Sequence, residues 1–158
     1  MIVVDAEAAD IAHVVANMRA ADAREVFAAR FDDDPYGLAA DMVAARARCI
    51  GFLAMRADDG EPVALLAAAL TTPTVADVLM IATDRWPDIA FAATRFAVRR
   101  AIPCYLDTNV ARAECRAWEG NAVACRWLEA LGFSQEGLLR RYGRAGENYR
   151  LYARLNPG

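Results

Sequence analysis

The sequence predicts an α/β protein: a single domain over residues 1–158 built on a mixed, mostly antiparallel seven-stranded sheet flanked by four or five helices. Three observations lead to that class. The chain has 158 residues, 57% apolar and 25% charged, which suits one core and lies far from the composition of disordered chains. The apolar period switches from helical to strand-like at Cys49. Turn and cap residues then divide the chain into a strand, two or three helices, three strands, a helix, a strand, a helix and two strands, with no repeat, linker or low-complexity tract.

Each element has its own warrant. "MIVV" is a short apolar run suited to a first strand, and Ile11, Val14, Val15 and Met18 then form the i, i+3, i+4, i+7 stripe of an amphipathic helix. In "DARE", Asp22 stands three residues before Glu25, as in a capping box opening a second helix, which "DDDPYG" breaks. Leu38 to Arg48 reads as another helix. "CIGFLAMRA", "EPVALLAAAL" and "VADVLMIAT" are strand-like runs separated by "DDG" and "TTPT", an antiparallel meander. "WPDIAFAATRFAVRRAI" returns to helix with Pro87 in its first turn and Arg95, Arg99 and Arg100 on a solvated side. "ARAECRAW" alternates as a strand does. Asn121 can cap the next helix, Trp127 and Leu131 lie one turn apart on its buried side, and Gly132 supplies a left-handed C-cap. The segment after Phe133 forms a terminal hairpin turning at "RAGE".

Composition excludes several function classes. The net charge is −3, against the clustered basic surface of nucleic-acid binders, so no nucleic-acid partner is expected. All 18 basic residues are Arg, which rules out Schiff-base chemistry on a lysine. Cys49, Cys104, Cys115 and Cys125 are scattered without metal-ligand spacing, so no metal site is expected and the four read as buried, reduced thiols. The longest apolar stretch falls well short of the ~20 residues of a membrane helix, and no signal pattern opens the chain. The expectation is a cytoplasmic protein without a membrane partner.

The positions Asn121, Ala124, Trp127, Leu131, Gly132 and Phe133, followed by "EG", an Arg-Tyr pair and the strand "YRLY", resemble the closing motif of the GNAT N-acetyltransferase superfamily. The order of elements resembles that superfamily over nearly the whole chain. More narrowly, "NMRAADAREV", "RAECRAWEGN" and "CRWLEALGF" resemble short GNAT-like proteins of tailed bacteriophages, some of them internal virion or virion-assembly proteins.

The wider resemblance implies a coenzyme A clamp, in which backbone amides between the fourth strand and the following helix hold the pyrophosphate. Its pattern is Gln or Arg, two residues, Gly, one residue, then Gly or Ala. Here that stretch is "RWPDIA": Arg85 and Ala90 fit the ends, and Asp88 replaces the glycine. A Cβ blocks close approach of a ligand to the backbone, and a carboxylate in the first turn occupies the positive end of the helix dipole. Thr83, Arg85, Asp88, Ala90 and Asn121 are the candidate cofactor-binding positions. The resemblance also implies a Tyr seven positions after the Asn, to protonate the leaving thiolate. That position is Leu128, and neither Cys125 nor Trp127 can take its place.

Asp77 and Glu114, on the fourth and fifth strands, are the candidate general bases if the protein is an enzyme. Arg112, Glu114 and Arg116 alternate on one strand face and read equally as a paired polar network. His13 has no evident acidic or thiol partner and reads as structural. Arg19, Asp22, Arg24 and Glu25 crowd the bend between the first helices, either as caps and ion pairs or as part of an acceptor pocket. The resemblances leave two readings. One is a non-catalytic GNAT-fold phage protein, without a cofactor, acting through protein partners in virion morphogenesis or as a minor virion component. The other is an acetyl-CoA-dependent N-acetyltransferase of a small amine or a protein amine. An acidic inhibitor of a host enzyme is compatible with the charge but has no positive support. A cleft plugged by Asp88, Trp86 or Phe91 is the expectation on the non-catalytic reading.

Overall fold

The structure, a computed structural model, describes residues 1–156. Its elements are β1 (Ile2–Asp5), α1 (Ala8–Ala16), α2 (Ala20–Ala28), α3 (Pro35–Ala45), β2 (Cys49–Arg56), β3 (Pro62–Thr72), β4 (Val75–Ala82), α4 (Trp86–Phe96), β5 (Arg112–Trp118), α5 (Ala122–Ala130), β6 (Ser134–Leu139) and β7 (Tyr149–Leu155). They form one seven-stranded sheet in the order β1-β2-β3-β4-β5-β7-β6. All neighbours are antiparallel except β4 and β5.

The apolar run of β3 follows from its central place, because a strand covered on both faces needs apolar side chains on both. Leu65 and Ala67 pack with Ile11, Val14, Leu38 and Met42 of α1 and α3 on one face. Ala64 on the other face packs with Trp86, Ile89 and Ala93 of α4. Ala68 also faces that way, in the cluster with Cys125 of α5 and Tyr152 of β7. Helix α1 is fixed by more than its stripe: Asp10, 1% exposed, pairs with Arg56 of β2 at 2.8 Å and accepts from the Glu7 N–H at 3.0 Å. A buried carboxylate is tolerated there because it has both a counter-charge and a donor.

Several local expectations hold. Gly60 and Gly132 have φ of +89° and +85°, the left-handed values for which a hairpin turn and a helix C-cap select glycine. The Asn121 side chain accepts from the Ala124 N–H, so it caps α5. Arg95, Arg99 and Arg100 are exposed. Others are corrected. Helix α3 begins earlier than Leu38, because Asp34 caps it through Tyr36 and Gly37 and Pro35 opens its first turn. Its last residues, Arg46–Arg48, tighten into a 3₁₀ turn. Helix α4 runs on through Ala97–Leu106 as a π-helix that contains Pro103. The wider turn accommodates a residue without an N–H, which a regular helix interior excludes. Cys104 is exposed and Cys49 only partly covered, so only Cys115 and Cys125 are the buried thiols expected.

Candidate functional site

The parallel pairing of β4 with β5 covers only Val75 to Asp77 against Arg112 to Glu114. Beyond that point the strands diverge, opening a wedge in the middle of the sheet. Diverging strands leave backbone donors and acceptors that need other partners. Helix α2 supplies two of them. The "DARE" spacing puts Asp22 and Glu25 one turn apart on one face. Asp22 accepts from the Ala82 N–H at the end of β4 at 2.9 Å, and Glu25 accepts from the Trp118 N–H at the end of β5 at 2.7 Å. Asn121 spans the two carboxylates, donating to Asp22 at 3.3 Å and to Glu25 at 3.4 Å. The α1–α2 bend is fastened to the same strand: the Arg19 N–H donates to the Ala82 carbonyl at 2.9 Å, and Met18 forms a bridge with Thr83.

These contacts correct the reading of Asp22 and Glu25 as a capping box, since α2 starts at Ala20 after Arg19 and both carboxylates turn into the wedge. Asp22, 2% exposed, is charge-compensated by the Arg19 guanidinium at 2.8 Å. Among the described residues Glu25 has no such partner in contact. Burial pushes its carboxyl up from 4.5 to about 7, reinforced by the neighbouring Asp22, although the Trp118 N–H opposes the rise. A carboxyl that titrates near neutrality in a cleft is suited to taking and returning a proton.

Two cavities reach this wedge from opposite faces of the sheet. One, of about 90 Å³, lies on the side of α4 and α5, with an apolar wall that includes Ala97, Ile102, Trp127 and Leu128. The other, of about 320 Å³, lies under α2 and α3, with Met42, Phe52, Tyr142 and Tyr149 in its wall. Glu25, Val78 and Arg116 line both. The backbone of β4 from Val78 to Met80 runs along the first cavity, paired with β3 on one side and, among the described residues, with no strand on the other, because pairing with β5 has ended.

The positions singled out in the sequence are dispersed around this centre. Asp77 lines the larger cavity, bonded to Arg116 at 3.2 Å, and burial raises its pKa against the pull of that arginine. Glu114 lines neither cavity. It accepts from Arg112 at 2.5 Å, and Arg112 also holds Glu136, so half of the strand-face network read from the sequence forms, whereas Arg116 turns to Asp77. His13 does have an acidic neighbour, with Nε2 3.4 Å from Glu61.

At the start of α4 the donors that a pyrophosphate would need are engaged. The Arg85 N–H donates to Thr83 Oγ1, the Trp86 N–H to the Thr83 carbonyl and the Asp88 N–H to the Arg85 carbonyl. Pro87 has no N–H. The Arg85 guanidinium is bonded to Asp59 at 2.8 Å, Asp88 at 3.0 Å and Glu61 at 2.6 Å, which together hold its pKa above the usual arginine value. Thr83 is buried, and the Ala90 carbonyl accepts from Thr94. The first turn of α4 therefore does not fit a diphosphate. Asp88 acts there by engaging Arg85, not by plugging the cleft, and Phe91 is 83% exposed, so it plugs nothing. Trp127, in the wall of the smaller cavity, meets buried Trp86 edge-on at 5.7 Å and its indole N–H donates to Thr94 at 2.8 Å, joining α5 to α4. Leu128 lines the cleft and carries no proton to give.

Comparison with solved structures identifies the fold. The chain is similar to a GNAT superfamily phosphinothricin acetyltransferase from Sinorhizobium meliloti, solved in complex with AcCoA, at 14% identity and a TM-score of 0.72 over 99% of this chain and 89% of that one. It is similar to Ard1 from Thermoplasma volcanium at 16% identity and a TM-score of 0.73, covering 99% and 98% of the two chains. A ribosomal-protein-alanine N-acetyltransferase from Brucella melitensis aligns over 98% of this chain and 99% of its own at 15% identity and a TM-score of 0.71. The protein has the GNAT acetyltransferase fold. No sequence-family profile matches the chain, and no curated protein matches it. Among the described residues no helix is long and apolar enough to cross a membrane.

Proposed function

We propose that the protein is a thioester-dependent N-acyltransferase acting on a primary amine, with Glu25 as its general base. The observation that carries this reading is the meeting of two cavities, one from each face of the sheet, at a carboxyl that titrates near pH 7. A thioester entering on the α4–α5 side and an amine entering under α2 and α3 would face each other across Glu25. The amine nitrogen attacks the thioester carbonyl, the C–N bond forms and the C–S bond breaks. Glu25 accepts the proton lost by the amine and gives it up to the departing thiolate, so Leu128 need supply none. Asp77, Tyr142 and Tyr149 shape the amine pocket, where a carboxylate and aromatic rings suit a cation with an apolar body.

The test is acyl transfer from S-acetyl thioesters to a panel of primary amines, read as thiol release, with Glu25→Gln alongside. Transfer that falls about a hundredfold or more in Glu25→Gln supports the reading. No binding of any acetyl thioester at millimolar concentration refutes it.

A second reading, a non-catalytic GNAT-fold protein that works by protein contact in a phage virion, draws on a different observation. The first turn of α4 is saturated, while Phe31, ahead of α3, and Tyr36, in its first turn, are 104% and 87% exposed. Failure of thioester binding together with capture of this protein on assembled particles would favour it.

A further inference from the structure

Building on the acyl-transfer reading, we propose that the donor is recognised through an uncharged, amide-bearing thioester arm of the pantetheine type, and that a nucleotide diphosphate contributes nothing to its binding. Three independent features point the same way. The first turn of α4 offers no free donor, since three N–H groups are bonded locally and Pro87 has none. The Arg85 guanidinium is shared by Asp59, Glu61 and Asp88, so a phosphate beside it would meet more carboxylate than cation. The Trp127–Thr94 bond, with Trp86 packed against it, ties α5 to α4, so a bulky headgroup could part the two helices only by breaking it.

What remains accessible suits a neutral arm. The Val78–Met80 edge of β4 offers backbone donors and acceptors to an extended amide chain, as a missing strand would. The side walls, Ala97, Ile102 and Leu128 among them, are apolar, and the cavity of about 90 Å³ is narrow. The cation in its wall, Arg116, is paired with Asp77. Glu25 shares that wall, where the thioester carbonyl would arrive.

Calorimetry on the full chain tests the proposal, with S-acetylpantetheine, acetyl-CoA, adenosine 3′-phosphate 5′-diphosphate and an acetylated acyl carrier protein as titrants. If the donor is read by its arm, S-acetylpantetheine binds within about threefold of acetyl-CoA, and millimolar adenosine 3′-phosphate 5′-diphosphate leaves its affinity unchanged. A seated diphosphate with three charge-assisted bonds would instead favour acetyl-CoA by more than about a hundredfold. A preference for acetyl-CoA of tenfold or more, or competition by adenosine 3′-phosphate 5′-diphosphate, overturns the inference and leaves the acyl-transfer reading standing. Absence of binding by every thioester overturns both. The carrier-protein arm separates the sources: an affinity tenfold above that of S-acetylpantetheine identifies a protein-borne arm, and equal or weaker binding identifies a free one.

Discussion

Replacing Glu25 with Gln should change how stability depends on pH more than it changes the fold. Glu25 binds its proton more tightly in the folded protein, at about 7, than at its ordinary 4.5. The stability this group contributes is therefore fully present below pH 4.5 and is lost as pH rises through 7, where folding must bury a charge beside Asp22. From 4.5 to about 7, at about 1.4 kcal/mol per tenfold change in proton affinity, the loss approaches about 3 kcal/mol. Glutamine keeps an oxygen for the Trp118 N–H and carries no charge at any pH. Melting temperatures of both proteins, followed by circular dichroism from pH 4 to pH 9, isolate the effect, because every other titrating group is common to the pair. The variant should gain on the parent by about 6 to 12 °C across that range, at the 2 to 4 °C per kcal/mol expected of a chain this long. Parallel curves would show that Glu25 is solvated and ordinary, and the proton role assigned to it would fall with them.

Three further outcomes follow from the same contacts. Asp22→Ala strips the Ala82 N–H, the Arg19 guanidinium and one Asn121 bond of their acceptor at once, so chemical denaturation should show a loss of about 3–5 kcal/mol; a loss under 1 kcal/mol would mean that water replaces it freely. A double-mutant cycle of Trp127→Phe with Thr94→Val should return a coupling of about 0.5–1.5 kcal/mol for the indole hydrogen bond, and zero coupling would remove the latch between α4 and α5. With a thiol reagent on the native protein, exposed Cys104 should be modified first, while Cys115, its thiol pushed up to about 12 by burial, stays silent until the chain unfolds; peptide mapping that found Cys115 labelled early would contradict the packing of β5.

The architecture was readable because its signals are local and redundant. The shift of period at Cys49, glycine at positions 60 and 132, and Asn121 ahead of an apolar stripe each constrain backbone over a few residues, and together they fix the order of elements. The centre was less readable because it is assembled from distant pieces. Asp22 and Glu25 carry the spacing of a cap, and only the divergence of β4 from β5, some 60 and 93 residues further on, turns them into acceptors for strand ends. Asp77 reaches the larger cavity because it sits on β4 where the pairing with β5 ends. Glu114 has the same chemistry one strand over, and its contact with Arg112 was anticipated, but its distance from both cavities depends on which strand face they open to. Tyr142 and Tyr149 left no signal, since aromatic residues in a terminal hairpin read first as packing.

The stitching of the α1–α2 elbow to β4 has a mechanical consequence. With Met18, Arg19 and Asp22 all tied to Thr83 and Ala82, the first two helices cannot swing away as a flap without tearing the end of a central strand. Admission to the larger chamber must then be governed by its fixed outline, or by movement of the 140–148 turn that brings Tyr142 to its rim. On the acyl-transfer reading, a guest would be sorted by whether it fits the doorway, since the wall beside it is tied down.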